Sequence, residues 1–290
     1  MIYHIIAIIV VLIWGCTFVN SKELLLHGMR PEEIFFIRFL MAYVCIWFCS
    51  PKKIWSKTWK DELTMALLGI TGGSLYFLSE NWAVGISYTN NVSFIVCTAP
   101  LITTLLGFLF IKDIKATPGL VAGSITALLG TAIVIFNGKF ILHLNPLGDL
   151  LALVAAISWA VYSLLIKEVS YRYSATFITR KVFFYGILTI IPVFLIRPWN
   201  FPFDGFRQPV IWGNLLFLGV IASFACFFIW SYIIKKIGAI SASNYIYINP
   251  ISTVICSAIV LSEPMTWMAY LGSALILLGV FIANKGKNEG

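Results

Sequence analysis

Of the 12 Asp and Glu residues in the chain, Glu80 alone falls inside a long apolar stretch. A charge deep in a hydrocarbon layer costs roughly 2.5–3.5 kcal/mol or more, so such a residue normally faces a polar interior and has a partner. Gly69, Gly73, Tyr76 and Glu80 follow one another at spacings of four, three and four, which would put them on one face of a helix. Tyr76 can then hydrogen-bond the carboxylate, while the glycines let a neighbouring helix approach closely. This pattern fits a proton site or a counter-charge for a substrate amine. It fits equally a structural glutamate near the interface.

A second polar group, Asn244, Tyr245, Tyr247 and Asn249, stands just before Pro250. Proline leaves a backbone carbonyl free one turn earlier, so this stretch can line a cavity; interhelical hydrogen bonding is the other reading. Asn91 and Ser93 are further candidates for polar lining. Trp14 and Trp159 lie mid-stretch, away from the interfacial belt where tryptophan collects. They can be stacking walls for an aromatic or cationic solute, or plain core packing. Arg38 and Arg180 lie near the starts of their stretches, where snorkelling to headgroups would account for them.

These residues need elements to hold them. The 290 residues are 60% hydrophobic and 11% charged, with a mean hydropathy of +0.94. A soluble domain carries about 25% charged residues, so there are too few charges here to cover a soluble surface. Apolar stretches fall at roughly 3–22, 33–50, 63–84, 89–111, 117–137, 147–167, 176–196, 210–232, 239–261 and 266–284. Each is about long enough to cross a bilayer, and helix satisfies the backbone there. The alternating ~10-residue pattern of a β-barrel is absent. The expectation is an all-α integral membrane protein of ten spans in the lipid bilayer, with no separate soluble domain. The first stretch, with no Lys or Arg before it and no small-x-small cleavage site after it, reads as a retained helix rather than a signal peptide.

Charge distribution sets the orientation. With the N-terminus inside, fourteen of the 20 Lys and Arg residues lie on the inner side and six on the outer, which favours both termini in the cytoplasm of a multi-pass cell (inner) membrane protein. The net charge of +8 then reflects loops facing anionic lipid, not nucleic acid. The six cysteines all lie in apolar runs without metal spacing, so no metal or cofactor is expected.

The chain also matches itself when shifted by about 145–150 residues. Trp14 and Lys22 fall on Trp159 and Lys167, and Arg38 on Arg180, each three residues after a Phe (Phe35, Phe177). Gly69 falls on Gly219, and Pro100 on Pro250, with an acid thirteen residues beyond each proline (Asp113, Glu263). GSITALLG (Gly123 to Gly130) falls on GSALILLG (Gly272 to Gly279). Glu80 falls on Trp230, so the acid belongs to one half only. Two five-span repeats, residues 1–140 and 141–290, would enter the membrane from opposite faces. Inverted repeats around a midplane site are a recurring plan of secondary transporters. The Gly and Ser of the fifth and tenth stretches, including Gly119 and Gly123, suit close helix contacts within the chain or between copies; the oligomeric state stays open.

Two halves that each end in an acid, a short turn and a G-S-x-x-x-L-L-G helix resemble the EamA-type branch of the drug/metabolite transporter superfamily. LIWGCTFVNSK and LSEPMTWMAYLGSALILLGVF are especially similar. The resemblance covers nearly the whole chain, with Asp113 standing where the family more often has Glu. It implies ATP-independent movement of a small-molecule substrate such as an amino acid, metabolite or drug, by alternating access and with export as the leading direction, with protons as a candidate coupling partner. No phosphate-binding loop argues for ATP. A membrane-embedded enzyme is the alternative, but the three histidines are scattered, and HExxH, GxSxG and an intramembrane acid pair are missing. A non-transport assembly protein is a further alternative.

Overall fold

The computed structural model describes residues 2–49, 54–86, 89–110, 117–136, 145–260 and 267–285. Among the described residues every regular element is helical. The ten apolar stretches coincide with helical runs: α1 (Ile2–Leu26), α2 (Pro31–Cys49), α3 (Trp59–Gly69) continued by α4 (Leu75–Ile86), α5 (Thr89–Val96) with α6 (Ala99–Phe110), and α7 (Pro118–Phe136). Then come α8 (Pro146–Ser170), α9 (Ala175–Ile196), α10 (Pro209–Leu216) continued by α11 (Cys226–Ile237), α12 (Ala239–Asn244) with α13 (Asn249–Val260), and α14 (Trp267–Lys285). Helix starts are chemically marked: the Asn145 side chain accepts from Gly148 N at 3.0 Å ahead of Pro146, and Ser174 does the same for Phe177 at 3.3 Å. Gly28 and Gly238, with φ of 91° and 83°, make the turns after α1 and α11 that other residues would resist.

Among the described residues, four helical runs are long and apolar enough on their own to cross a membrane: Ile2–Leu26, Pro146–Ser170, Ala175–Ile196 and Pro209–Ile237. Large apolar side chains such as Phe48, Leu109, Leu195, Ile259 and Phe281 point outward unpaired. That outer surface suits lipid and would be costly in water.

Two pairs of irregularities sit at matching places in the internal repeat. The third and eighth stretches each widen into a π-helical segment, Ile70–Ser74 and Phe217–Ala225. A π segment leaves carbonyls unpaired within the helix, and each is answered from another helix. Ser158 Oγ on α8 donates to Thr71 O at 2.8 Å, and Trp14 Nε1 on α1 donates to Ala222 O at 2.9 Å. Likewise the fourth stretch breaks between α5 and α6 just before Pro100, and the ninth turns 3-10 over Tyr245–Ile248 just before Pro250.

The glycine stripes of the fifth and tenth stretches are used inside the chain. α7 packs on α14 so closely that a Cβ on Gly123 would lie 2.3 Å from Ala283 N. One on Gly279 would lie 2.4 Å from Ala127 N and 2.6 Å from Gly123 O. These contacts are backbone against backbone and have no flexible side chain to yield. Gly279→Ala is therefore expected to destabilise the bundle by about 1–3 kcal/mol through overpacking, read as a lower melting temperature in detergent. A variant melting at or above the wild-type temperature would show that the two helices separate freely.

Candidate functional site

Glu80 lies nearly two turns beyond the π segment, on α4, and is buried at 7% exposure. Tyr76 Oη donates to its Oε1 at 3.1 Å, as the spacing of four predicts. The glycines do not share that face. Gly73 has non-helical angles (φ −124°, ψ −106°), so the register shifts between Gly69 and Tyr76. Gly69 instead abuts Tyr185 and Gly186 on α9, and Gly73 faces Phe39.

From Tyr76 an aromatic cluster extends across the bundle. The Tyr76 ring stands 5.1 Å from Trp159, Trp159 stands 5.3 Å edge-on to Trp14, and Trp14 stands 5.0 Å from Trp230. Phe227 touches Trp14 and Trp159 at 5.7 and 6.0 Å. The two tryptophans matched in the sequence self-alignment thus meet each other, with Trp159 against the Tyr76 ring that bonds Glu80. Trp14 is held by its bond to Ala222 O, whereas the buried Trp159 and Trp230 indole nitrogens have no hydrogen-bond partner among the described residues.

Arg38 corrects the snorkelling expectation. It is 3% exposed, with Nε donating to Ser223 Oγ at 2.9 Å and its guanidinium carbon 4.4 Å from the Phe77 ring centre. α2 begins at Pro31, so Arg38 is two turns in, beneath the π segment 217–225 that packs on α2. Arg180 is also buried, beside Trp47 and Phe177.

The second predicted group is buried but directed elsewhere. Tyr245 Oη meets His4 Nδ1 at 2.6 Å. Asn244 and Tyr247 lie in the core, where both Asn244 side-chain polar atoms are without hydrogen-bond partners among the described residues. The Asn249 carbonyl accepts from Ser252 and Thr253, each at 3.0 Å. The side chains of Asn91 and Ser93 lie outside the described residues, as do Asp113 and Glu263.

Sequence reasoning missed a polar junction at the start of α3. Lys181 on α9 pairs with Glu62 Oε1, which also accepts from Tyr185 Oη at 2.5 Å, while Ser56 N donates to Oε2 at 2.8 Å. Next to it Arg172 and Tyr173 hold Asp61 at 2.9 and 2.7 Å. Burial pushes the Glu62 carboxyl up, but the hydrogen bonds from Lys181, Tyr185 and Ser56 outweigh it and hold it below the ordinary carboxylate range. These acids precede the apolar run beginning at residue 63, so they read as loop charges in the sequence. Another missed acid, Glu33 at the start of α2, is buried and accepts the N–H groups of Asn200 and Phe201 at 2.6 and 2.9 Å. Among the described residues no cluster of His, Cys, Asp and Glu could hold a metal ion.

A helical bundle with an apolar, lipid-suited exterior defines a multi-pass membrane protein. The chain belongs to the EamA-like transporter family, whose profile matches it twice, over residues 1–136 and 146–285. It is 23% identical to an uncharacterized transporter of Archaeoglobus fulgidus, covering 99% of this chain and 98% of that one. It is 24% identical to an Escherichia coli protein named a probable amino-acid metabolite efflux pump, covering 96% and 93%. A solved structure aligns over 97% of this chain and 96% of its own with a TM-score of 0.77 at 16% identity, a likeness of fold. The chain is thus a membrane transporter by family.

Proposed function

We propose that the chain is an ATP-independent exporter of small amine-bearing metabolites, exchanged against protons at Glu80. The observation that carries this reading is the Glu80 carboxylate itself, buried, with Tyr76 as its one hydrogen-bond partner among the described residues, the Tyr76 ring leading into a cluster of Trp159 and Trp14 from helices far apart in sequence. A desolvated carboxylate among aromatic faces attracts an ammonium group, through charge on one side and ring quadrupoles on the other. The same carboxylate can carry a proton when no amine is bound, so one site serves both ions in turn.

Residues 1–140 and 141–290 act in this reading as inverted five-helix halves, with both termini cytoplasmic. They rock about the Glu80 cluster to expose it to either side. Three features support it: the paired family matches, the paired π segments and the paired breaks before Pro100 and Pro250. Discontinuous helices near a midplane site are a common feature of such transporters. The name of the Escherichia coli relative supports export of amino-acid metabolites.

Purified protein in proteoliposomes, loaded with a pool of amino acids and amphipathic amines, tests the reading. Efflux is expected for amine-bearing members, faster when the receiving side is acidic. Folded protein that moves no member of the pool under either gradient would overturn the assignment of substrate class.

A further inference from the structure

α2 and α9, matched to each other in the sequence repeat through Arg38 and Arg180, pack antiparallel along their lengths. Phe36 meets Phe194 at 5.6 Å, Tyr43 meets Phe184 at 6.1 Å, and the Trp47 ring centre lies 5.4 Å from the Arg180 guanidinium carbon. The segment that follows each helix closes over the start of the other. After α9, Asn200 N and Phe201 N donate to Glu33 on α2, and Arg30 Nη1 donates to Pro198 O at 3.3 Å. After α2, Lys57 N donates to Tyr173 Oη at 2.8 Å, and the Trp55 ring centre lies 4.8 Å from the Lys181 ammonium on α9. The two junctions are thus counterparts in the repeat, at opposite ends of the α2–α9 pair. Each joins a residue of the first family match, 1–136, to residues of the second, 146–285.

Their chemistry differs. At Glu33 a carboxylate is held by backbone N–H groups. The other junction is built on side-chain charges of both signs, Lys181 with Glu62 and Arg172 with Asp61, the latter at 2.9 Å. A buried ion pair adds little net stability over apolar packing, so a seam meant to stay shut gains nothing from one. The contact of α7 with α14 shows the contrast, glycine backbone laid against backbone. Charged groups can part at small net cost because water takes over what each loses, and the Arg172 side chain is already 49% exposed. We propose that the Glu62–Lys181 and Asp61–Arg172 pairs close the inner end of the transporter and part when the halves rock, with the Glu33 junction as the outer counterpart. The inference rests on the reading of the halves as opening alternately. It adds which contacts break at each end, and that ion pairs between the halves hold the inner one.

Spin labels test this with no solute present. In a chain with its six cysteines replaced by serine, one label pair goes on Trp59→Cys and Tyr171→Cys at the inner end. A second goes on His27→Cys and Asp204→Cys at the outer end; all four positions are exposed. Distances are read by double electron–electron resonance in lipid nanodiscs. In Asp61→Asn and in Arg172→Gln the ratio of long to short inner distances is expected to rise about fivefold, the loss of one charge-assisted contact at a partly exposed site. The outer pair should stay at its wild-type distance or draw closer. Arg172→Lys, which keeps the charge, should remain near the wild type, and Glu33→Gln should lengthen the outer pair alone. If one of the two inner variants does not fold, the other carries the test. Inner distances that keep the wild-type ratio in the folded variants would make the junction a fixed seam and overturn the inference. So would labels that spread at both ends together, the mark of a loosened fold. These outcomes are read without solute, so they are distinct from a failure of transport in proteoliposomes, which removes the alternating reading instead.

Discussion

Lys181→Met is expected to lower the stability of the folded bundle by about 3–5 kcal/mol, because it strands a buried carboxylate. The Lys181 and Glu62 side chains are 4% and 7% exposed, so water cannot replace the lost partner cheaply. Tyr185 Oη and Ser56 N would remain on Glu62, but neutral donors do not balance a full charge at low dielectric. The Lys181 ammonium also lies 4.8 Å from the Trp55 ring centre and 5.4 Å from that of Tyr185, contacts that methionine would keep only as packing. Purified variant in detergent should melt roughly 10 °C below the wild type. The double variant Glu62→Gln/Lys181→Met, with neither charge, should recover part of that loss, since deleting both members of a buried pair costs less than deleting one. A single variant melting with the wild type would mean that Glu62 reaches water. The pH dependence follows from the lowered Glu62 carboxyl. Its stabilising contribution is present at neutral pH and is lost as pH falls below the ordinary carboxylate range toward its folded value. Lys181→Met should therefore lose less on acidification than the wild type does.

That junction also marks where sequence reading stops. A helical membrane fold is dictated by long apolar stretches and by the scarcity of charge, so it was legible without knowing how the helices pack. The Tyr76–Glu80 bond was legible because it is local, one helical turn apart. Glu62 was not: its partners Lys181 and Tyr185 come from α9, more than a hundred positions away, and a charge at the end of a span looks the same whether it faces water or a partner. Arg38 was misread for a related reason. Nearness to a helix start favours snorkelling, but here the π segment 217–225 packs over that turn of α2. The π segments are equally tertiary. ITGGS and FLGVIASFA carry no rule demanding an extra residue per turn; the carbonyls they free are accepted because Ser158 and Trp14 wait opposite them. The repeat did hold usable information. Trp230, the counterpart of Glu80 in the self-match, lies 5.0 Å from Trp14 in the aromatic cluster, so the counterpart of an isolated buried acid was itself a lead to that cluster.

Glu80→Gln is expected to reduce transport of amine-bearing solutes by about 100-fold, within the range for removing one partner of a buried charge pair. Glutamine keeps the size of the side chain and its ability to accept from Tyr76, so the variant isolates charge from shape. It also mimics the protonated carboxylate permanently, which gives the experiment a second readout. In the wild type, protons and amine compete for one carboxylate, so the apparent affinity for amine should weaken as the pH on the binding side falls. The opposing proton gradient then drives net efflux. In Glu80→Gln the residual transport should be insensitive to pH, and the gradient should add nothing. Glu80→Asp, which keeps the charge but retracts it, should retain the pH dependence at a reduced rate. A variant with wild-type rates and wild-type pH dependence would remove Glu80 from both roles. Normal pH dependence with a lost amine preference would move the proton site to another residue and leave Glu80 as the ammonium site alone.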